Sequence, residues 1–290
     1  MIAITGATGN IGSKLAAELL AKGEKVRCIA RSAEKLEDFA SRGAEVAAVA
    51  LEDTAALAHA FAGSQAIFAM IPPDYGAADF RAYQNRLGAS IASAVEKAGV
   101  RYVVNLSSQG AHLPDKTGPI KGLHDQEERL NKLPGVHILH LRPTYFMENL
   151  LVNLDMIKSM NMMGSAIRAD LKIAMIATRD IAMEAARQLR QRDFQGSSVK
   201  DLLGQRDLSM NEACQIIGRL IDKPDLKYVQ FSYEDTHKAL LDMGMSTDVA
   251  DLFIEMSRAF NDGLIRAERT PDNATPTTVE EFARIFEQLI

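Results

Sequence analysis

Eight residues near the start of the chain, Thr5-Gly6-Ala7-Thr8-Gly9-Asn10-Ile11-Gly12, follow the apolar run Ile2–Thr5 and lead into an amphipathic stretch. A strand that turns on glycines straight into a helix restricts the fold more than anything else in the sequence. Gly6 permits the tight turn, Gly9 leaves the backbone open to close approach, and Gly12 lets the helix pack against the strand. Ile11, Leu15 and Leu19 form one buried stripe, and Gly23 supplies the stop. The first turn of such a helix combines unpartnered N–H groups with the positive end of the helix dipole, a setting that holds a pyrophosphate. Thr8, Asn10 and Ile11 complete the loop that would touch it.

Short apolar runs then alternate with amphipathic stretches. Strands are expected near Lys25–Ala30, Glu45–Ala50, Ala66–Ile71, Tyr102–Leu106 and His137–Leu141. Helices are expected near Ile11–Lys22, Ala33–Ser41, Thr54–Phe61, Ala78–Ala98 and Gly122–Lys132. Such alternation implies right-handed crossovers and a parallel sheet. After about residue 150 helices dominate: Glu148–Met160, Asp180–Arg190, Ser209–Ile221, Tyr233–Met243 and Asp248–Asn261, with short strands near Ser197–Leu203 and Leu226–Phe231. Thr270–Pro276 has loop chemistry, and Thr278 with Glu281 forms a capping box for a last helix. The expected organisation is a nucleotide-binding sheet domain over residues 1–150 and a mainly helical substrate or lid lobe over 151–290, some of whose segments return to the sheet.

At 290 residues the chain is long enough for one large or two small domains without a disulfide or metal staple. Lys and Arg number 33 against 38 Asp and Glu, a net charge of −5, which argues against direct binding to nucleic acid. The two cysteines, Cys28 and Cys214, are far apart and fit two reduced thiols in a reducing compartment. With neither a basic leader at the start nor a run of 18 apolar residues, a cytoplasmic protein free of the membrane, monomeric or homodimeric, is expected. No metal site is expected: His137 and His140 stand three apart in an expected strand and so face opposite ways. No Gly-x-Ser-x-Gly elbow is present.

The Gly-x-x-Gly-x-x-Gly spacing resembles that of the extended and atypical short-chain dehydrogenase/reductase superfamily, and within it the NmrA-like group. Three later segments carry the same resemblance: Asn105-Leu106-Ser107-Ser108, Leu141-Arg142-Pro143-Thr144-Tyr145-Phe146-Met147-Glu148-Asn149 and Ala177-Thr178-Arg179-Asp180-Ile181-Ala182. The resemblance implies a Rossmann-type doubly wound parallel α/β sheet with a smaller, mainly helical C-terminal lobe, and a nicotinamide dinucleotide as cofactor.

Arg31 lies 19 residues after Gly12, where an NAD site needs a carboxylate for the ribose 2′-hydroxyl. A guanidinium there suits a 2′-phosphate, with Lys35 as a second charge and Ser32 as a helix cap that also reaches the phosphate. NADP(H) is therefore favoured over NAD(H), although Glu34 could serve an NAD ribose. The Asp-Leu pair common in the group after the third strand is replaced by Ala50-Leu51, and Asp53 reads as the cap of the next helix.

Short-chain dehydrogenases use a Tyr-x-x-x-Lys pair, whose tyrosine moves a proton as hydride transfers. None of the six tyrosines has lysine four residues on. Alignment with the group puts Ile120 at the tyrosine and His124 at the lysine, with Lys121 an alternative in a shifted register. His124 could hold the nicotinamide ribose or relay a proton. One of Ser107 and Ser108 would line the nicotinamide site unless both serve only the turn, Ile71 and Pro72 would wall the cofactor, and Pro143, Thr144, Tyr145 and Phe146 would lie near the ring. Tyr145 is the one tyrosine placed to be a surrogate proton donor or a stacking surface, with plain pocket lining the alternative, and Asn149 could cap the following helix. Met156, Met160, Met162 and Met163 suit either an adaptable apolar pocket or helical core packing. The functional expectation is an NADPH-dependent reductase of a small apolar acceptor (quinone, enone or carbonyl) by direct hydride transfer without the dyad. The alternatives are a non-catalytic NADP(H) redox sensor or regulator, and third a sugar-nucleotide epimerase or dehydratase.

Overall fold

The computed structural model describes Met1–Ile290. Its first strand, β1 (Ile2–Thr5), is buried at all four residues. A strand with no exposed face must lie inside a sheet covered on both sides. The chain continues through α1 (Asn10–Ala21), β2 (Val26–Ala30), α2 (Glu37–Ser41), β3 (Glu45–Ala48), α3 (Thr54–Phe61), β4 (Ala66–Ala69), α4 (Phe80–Ala98), β5 (Tyr102–Leu106), α5 (Lys121–Leu130) and β6 (His137–Pro143). The second half follows as β7 (Tyr145–Phe146), α6 (Leu154–Met160), β8 (Met162–Ser165), β9 (Ile173–Ile176), α7 (Thr178–Gln191), β10 (Ser197–Leu202), β11 (Asp207–Leu208), α8 (Met210–Leu220), β12 (Lys227–Gln230), α9 (Tyr233–Asp242), α10 (Thr247–Asn261) and α11 (Val279–Leu289).

The main sheet has seven strands in the order β10-β6-β5-β4-β1-β2-β3. Every neighbouring pair is parallel. The order reverses between β1 and β4, which opens a crevice at their carboxyl ends, the ligand position in doubly wound sheets. Thr5 pins the two strands there: its hydroxyl donates to the Phe68 carbonyl at 3.1 Å and accepts from the Met70 N–H at 3.0 Å.

One core layer joins α1 and α7 to the sheet through Leu15, Leu19, Ile181 and Leu189. The other joins α3 and α4 to the opposite face, and Val249 and Leu252 of α10 pack into it. The chain after residue 150 is thus divided: α7 and β10 complete the sheet layer, while α6, α8 and α11 enclose a separate core with Met147, Met163, Met175 and Phe260. Two small sheets, β11-β9-β7 and β12-β8, brace that lobe. No helix is long and apolar enough to cross a membrane.

Several local expectations are corrected. The helix expected over Glu148–Met160 is a 3₁₀ segment, Met147–Asn153, followed by the short α6. Asn153 breaks the run by donating to the Leu150 carbonyl and accepting from the Gly164 N–H. Asn149 sits inside that segment and caps nothing. Met162 and Met163 belong to β8, not to a helix. The Ala33–Ser41 helix is split into a 3₁₀ turn and α2, and the turn begins at Ala33 with no side-chain cap, so Ser32 does not cap it. Asp53 does cap α3, accepting from the Ala56 N–H at 3.0 Å. The Thr278–Glu281 capping box opens α11.

Candidate functional site

The crevice above β1 and β4 is a cleft of about 580 Å³. Its floor is the glycine turn: Gly6, Thr8, Gly9, Asn10, Ile11 and Gly12 all line it. Gly6 has φ +63°, and a Cβ there would lie 2.5 Å from the Met70 sulfur. A Cβ at Gly12 would come within 2.1 Å of the Gly6 carbonyl oxygen, so helix and turn touch only because both residues are glycine. Gly9 donates to Gly6 at 2.9 Å and closes the loop, and the first intrahelical bond runs from Ser13 to Gly9. The N–H groups of Asn10, Ile11 and Gly12 have no partner in the protein, and no side chain caps the helix. This cradle fits a dinucleotide pyrophosphate: its donors, its dipole and its lack of side chains all suit a bulky anion.

At one end the cleft is lined by Ile29, Ala30 and Arg31 after β2 and by Val49, Leu51 and Glu52 after β3. Arg31 is exposed and forms no hydrogen bond or ion pair within the protein. Ser32 and Lys35, expected beside it, stand outside the lining, and Glu34 does too. Ile71, Pro72 and Pro73 form a side wall after β4, with Tyr75 and Tyr83. Tyr83 donates its phenol to the Pro72 carbonyl at 3.1 Å. Burial pushes the Tyr75 phenol above its ordinary pKa.

At the other end lie Ser107, Ser108, Leu123, Phe146, Glu148, Asn149 and Thr178. Glu148 accepts from the Thr178 N–H and hydroxyl, satisfying the start of α7. Ser107 is 3% exposed. Its hydroxyl donates to Glu127, which is also held by Arg142, Nε to Oε1 at 2.9 Å. Burial alone would raise the Glu127 carboxyl, but the hydrogen bonds from Arg142 and Ser107 and the guanidinium charge lower it below the usual carboxylate range.

Other candidates are turned elsewhere. His124 is half-buried on α5, its Nδ1 2.8 Å from the Ala111 carbonyl, and it is not part of the cleft lining. Lys121 is drawn to α10 by Glu255, Nζ to Oε2 at 3.0 Å. Tyr145 packs against the lobe core, its ring edge-on to Phe260 at 6.4 Å, and burial pushes its phenol up. Tyr145 lies outside the cleft lining, which does not suit a surrogate proton donor. Pro143 and Thr144 are buried behind the wall; the Thr144 hydroxyl lies 2.7 Å from Gln109 Oε1 and 3.0 Å from the Ala174 carbonyl. The reason is β7, which pairs with β9 and turns this segment toward the lobe.

Glu127 and Met70 belong to no motif in the sequence, and Glu148 stands in one without a role attached to it. Glu127 had a signal, since Arg142 is a permanent cation in a largely buried strand and needs a carboxylate nearby. No group of three His, Cys, Asp or Glu side chains converges as a metal site would require.

A family model described as "NmrA-like family" matches residues 1–283. The (4-alkanoyl-5-oxo-2,5-dihydrofuran-3-yl)methyl phosphate reductase of Streptomyces griseus subsp. griseus is 29% identical over 83% of this chain and 80% of its own. Quinone oxidoreductase 2 of Escherichia coli is 26% identical over 99% of both. Among solved structures, the Escherichia coli NADPH-dependent quinone oxidoreductase complexed with NADPH superposes with a TM-score of 0.83 at 23% identity, covering 98% of each chain. Citrobacter sp. triphenylmethane reductase complexed with NADP(H) does so at 0.84 and 20%, covering 99% of this chain and 100% of that one.

Proposed function

From its place in the NmrA-like family, to which this chain belongs, we propose that it is an NADPH-dependent reductase of a small apolar acceptor such as a quinone or enone. The observation that carries this reading is the cleft itself: an unpartnered helix start at its centre and an unpartnered Arg31 at one end. The three free N–H groups of α1 bind the pyrophosphate. Arg31 forks onto the 2′-phosphate, a pairing that a guanidinium makes well and an NAD ribose would not need. The bound dinucleotide supplies the hydride. Phe146, Leu123 and Leu106 give the far end an apolar surface for an acceptor ring, beside the polar Ser107, Ser108 and Glu148. Both relatives are reductases, and the quinone oxidoreductase supports an apolar acceptor, whereas the Streptomyces griseus enzyme is named for a phosphate-bearing one.

The protein offers little acid at that end, the unpartnered Tyr75 phenol of the side wall apart. The protons of Ser107 and Tyr83 are committed to Glu127 and the Pro72 carbonyl. His124 is tied to Ala111, and Tyr145 is packed in the lobe. The acceptor is therefore one whose hydride adduct is a stabilised anion and can take its proton from water. An ordinary aldehyde or ketone would need a side-chain acid and is disfavoured.

The test is NADPH oxidation, followed optically, against quinones, conjugated enones and simple aldehydes. Turnover with the first two and none with the third is expected. Tight NADPH binding with no turnover on any acceptor would favour a redox sensor, whose NADP⁺ and NADPH affinities must then differ for it to respond.

A further inference from the structure

Ser107 and Glu127 are joined in a way the reductase reading does not require. Ser107 directly follows β5 at the far wall of the cleft, with its backbone N–H held by the Leu141 carbonyl at 2.8 Å. Its hydroxyl donates to Glu127 Oε1. Glu127 has a side-chain exposure of 5% and Arg142 of 15%, so the ion pair is sheltered from water. A carboxylate held by a guanidinium only accepts hydrogen bonds. The direction of the Ser107–Glu127 bond is thus settled by its partner. A hydroxyl carries one proton and two acceptor lone pairs. With that proton spent on Glu127, Ser107 shows the cleft acceptor capacity alone.

The neighbouring groups do not relax this arrangement. His140 accepts from Asn105 Nδ2 at Nδ1, 3.1 Å, and donates from Nε2 to Asn131 Oδ1, 3.0 Å, so it is neutral and its proton is in use. Asp201 on β10 stands opposite Arg142 in the sheet register, and its charge also favours the guanidinium.

We propose that the Glu127–Arg142 pair is a positioning device that locks Ser107 as a hydrogen-bond acceptor for an N–H or O–H donor on the nicotinamide-riboside half of the cofactor. Such donors are the carboxamide and the ribose hydroxyls. Ser107 then fixes the placement of the hydride-bearing ring and gives no proton to the acceptor. This rests on the cofactor reading above.

The experiment compares two ligands, NADPH and adenosine 2′,5′-bisphosphate, which keeps the 2′-phosphate end and lacks the nicotinamide riboside. In Glu127→Gln a single amide oxygen cannot serve both Oε1, shared by Ser107 and Arg142 Nε, and Oε2, held by Arg142 Nη2, so the fixed direction of the serine proton is lost. NADPH affinity should fall about tenfold, the scale of one lost hydrogen bond whose partner is left buried. Affinity for the bisphosphate should stay within about twofold of wild type. Ser107→Ala should give the same pattern, and adding Glu127→Gln to it should cost little more, because both act through one bond. Additive losses, or equal losses for both ligands, would overturn the proposal in favour of a general packing role. If Glu127→Gln does not fold, Ser107→Ala decides alone: unchanged NADPH affinity overturns it. Failure of the wild-type protein to bind the bisphosphate strikes the cofactor reading itself and takes this proposal with it.

Discussion

Asp180 grips Thr277 with both carboxylate oxygens, taking its N–H at 2.9 Å and its hydroxyl at 2.6 Å across 97 residues of sequence. Arg179 adds a bond from Nε to the same threonine oxygen at 2.8 Å. The Thr178-Arg179-Asp180 segment thus fastens the loop ahead of α11 to the start of α7, while Glu148 satisfies the same helix start from the cleft side. Its chemistry is structural, and it ties the C-terminal lobe to the sheet layer.

Asp180→Ala strands a buried N–H and a buried hydroxyl at Thr277. Bonds of this kind to a charged group contribute about 1.5–3 kcal/mol each and are not additive. A loss near 3 kcal/mol in urea unfolding is expected, with NADPH affinity of the folded fraction little changed. A loss below about 1 kcal/mol would show that the loop docks by other contacts.

What was legible in the sequence were the parts whose cause is local. The glycine turn, the strand–helix alternation, the Asp53 cap and the Thr278 box each follow from residues within a few positions of one another. Side-chain direction is another matter. Nothing near His124 in sequence says that its ring meets Ala111, and nothing near Tyr145 says that β9 lies alongside to draw it into the lobe. Glu127 was obscured because its partners, Ser107 and Arg142, come from β5 and β6 and meet it only once the sheet is built.

The turn glycines should separate binding from folding. Gly9 has φ −86°, open to any residue, and its Cβ would meet only the Gly6 carbonyl at 3.3 Å. Gly9→Val should therefore stay folded by circular dichroism while its side chain blocks the phosphate cradle and NADPH binding is lost. Gly12→Ala drives a methyl to 2.1 Å from backbone oxygen and should lower the Tm by several degrees or prevent folding. Intact NADPH affinity in Gly9→Val would remove the glycine turn from the cofactor site.

Arg31 should set cofactor choice. In Arg31→Ala the affinity for NADPH should drop about 10- to 100-fold, with NADH nearly unaffected, as expected when one charge-assisted contact is removed. Titration by cofactor fluorescence measures both. A parallel loss for the two cofactors would place the guanidinium away from the 2′-phosphate.

His140 should carry an acid-sensitive share of stability. Burial pushes its pKa down to about 4, with Glu127 opposing and Arg142 assisting, against the usual 6.5. The folded state keeps the ring neutral where the unfolded chain binds a proton. Stability should therefore decline as pH falls from 6.5 toward 4, by about 3 kcal/mol across that window, and flatten below it. His140→Gln should lack this component. The difference between the two Tm-against-pH curves isolates it from the carboxylates that titrate in the same range.

The proton source is open to direct test. A side chain acting as general acid contributes about 10²–10⁴-fold to rate. His124→Ala and Tyr145→Phe should each change kcat by less than about tenfold on a quinone, since one ring is held by Ala111 and the other is packed on Phe260. Tyr75 is the demanding control, because its phenol lines the cleft and has no hydrogen-bond partner in the protein. Tyr75→Phe should leave kcat and its pH profile unchanged if water supplies the proton. A loss of 10²-fold or more, with the alkaline limb of the profile abolished, would move that role from water to Tyr75.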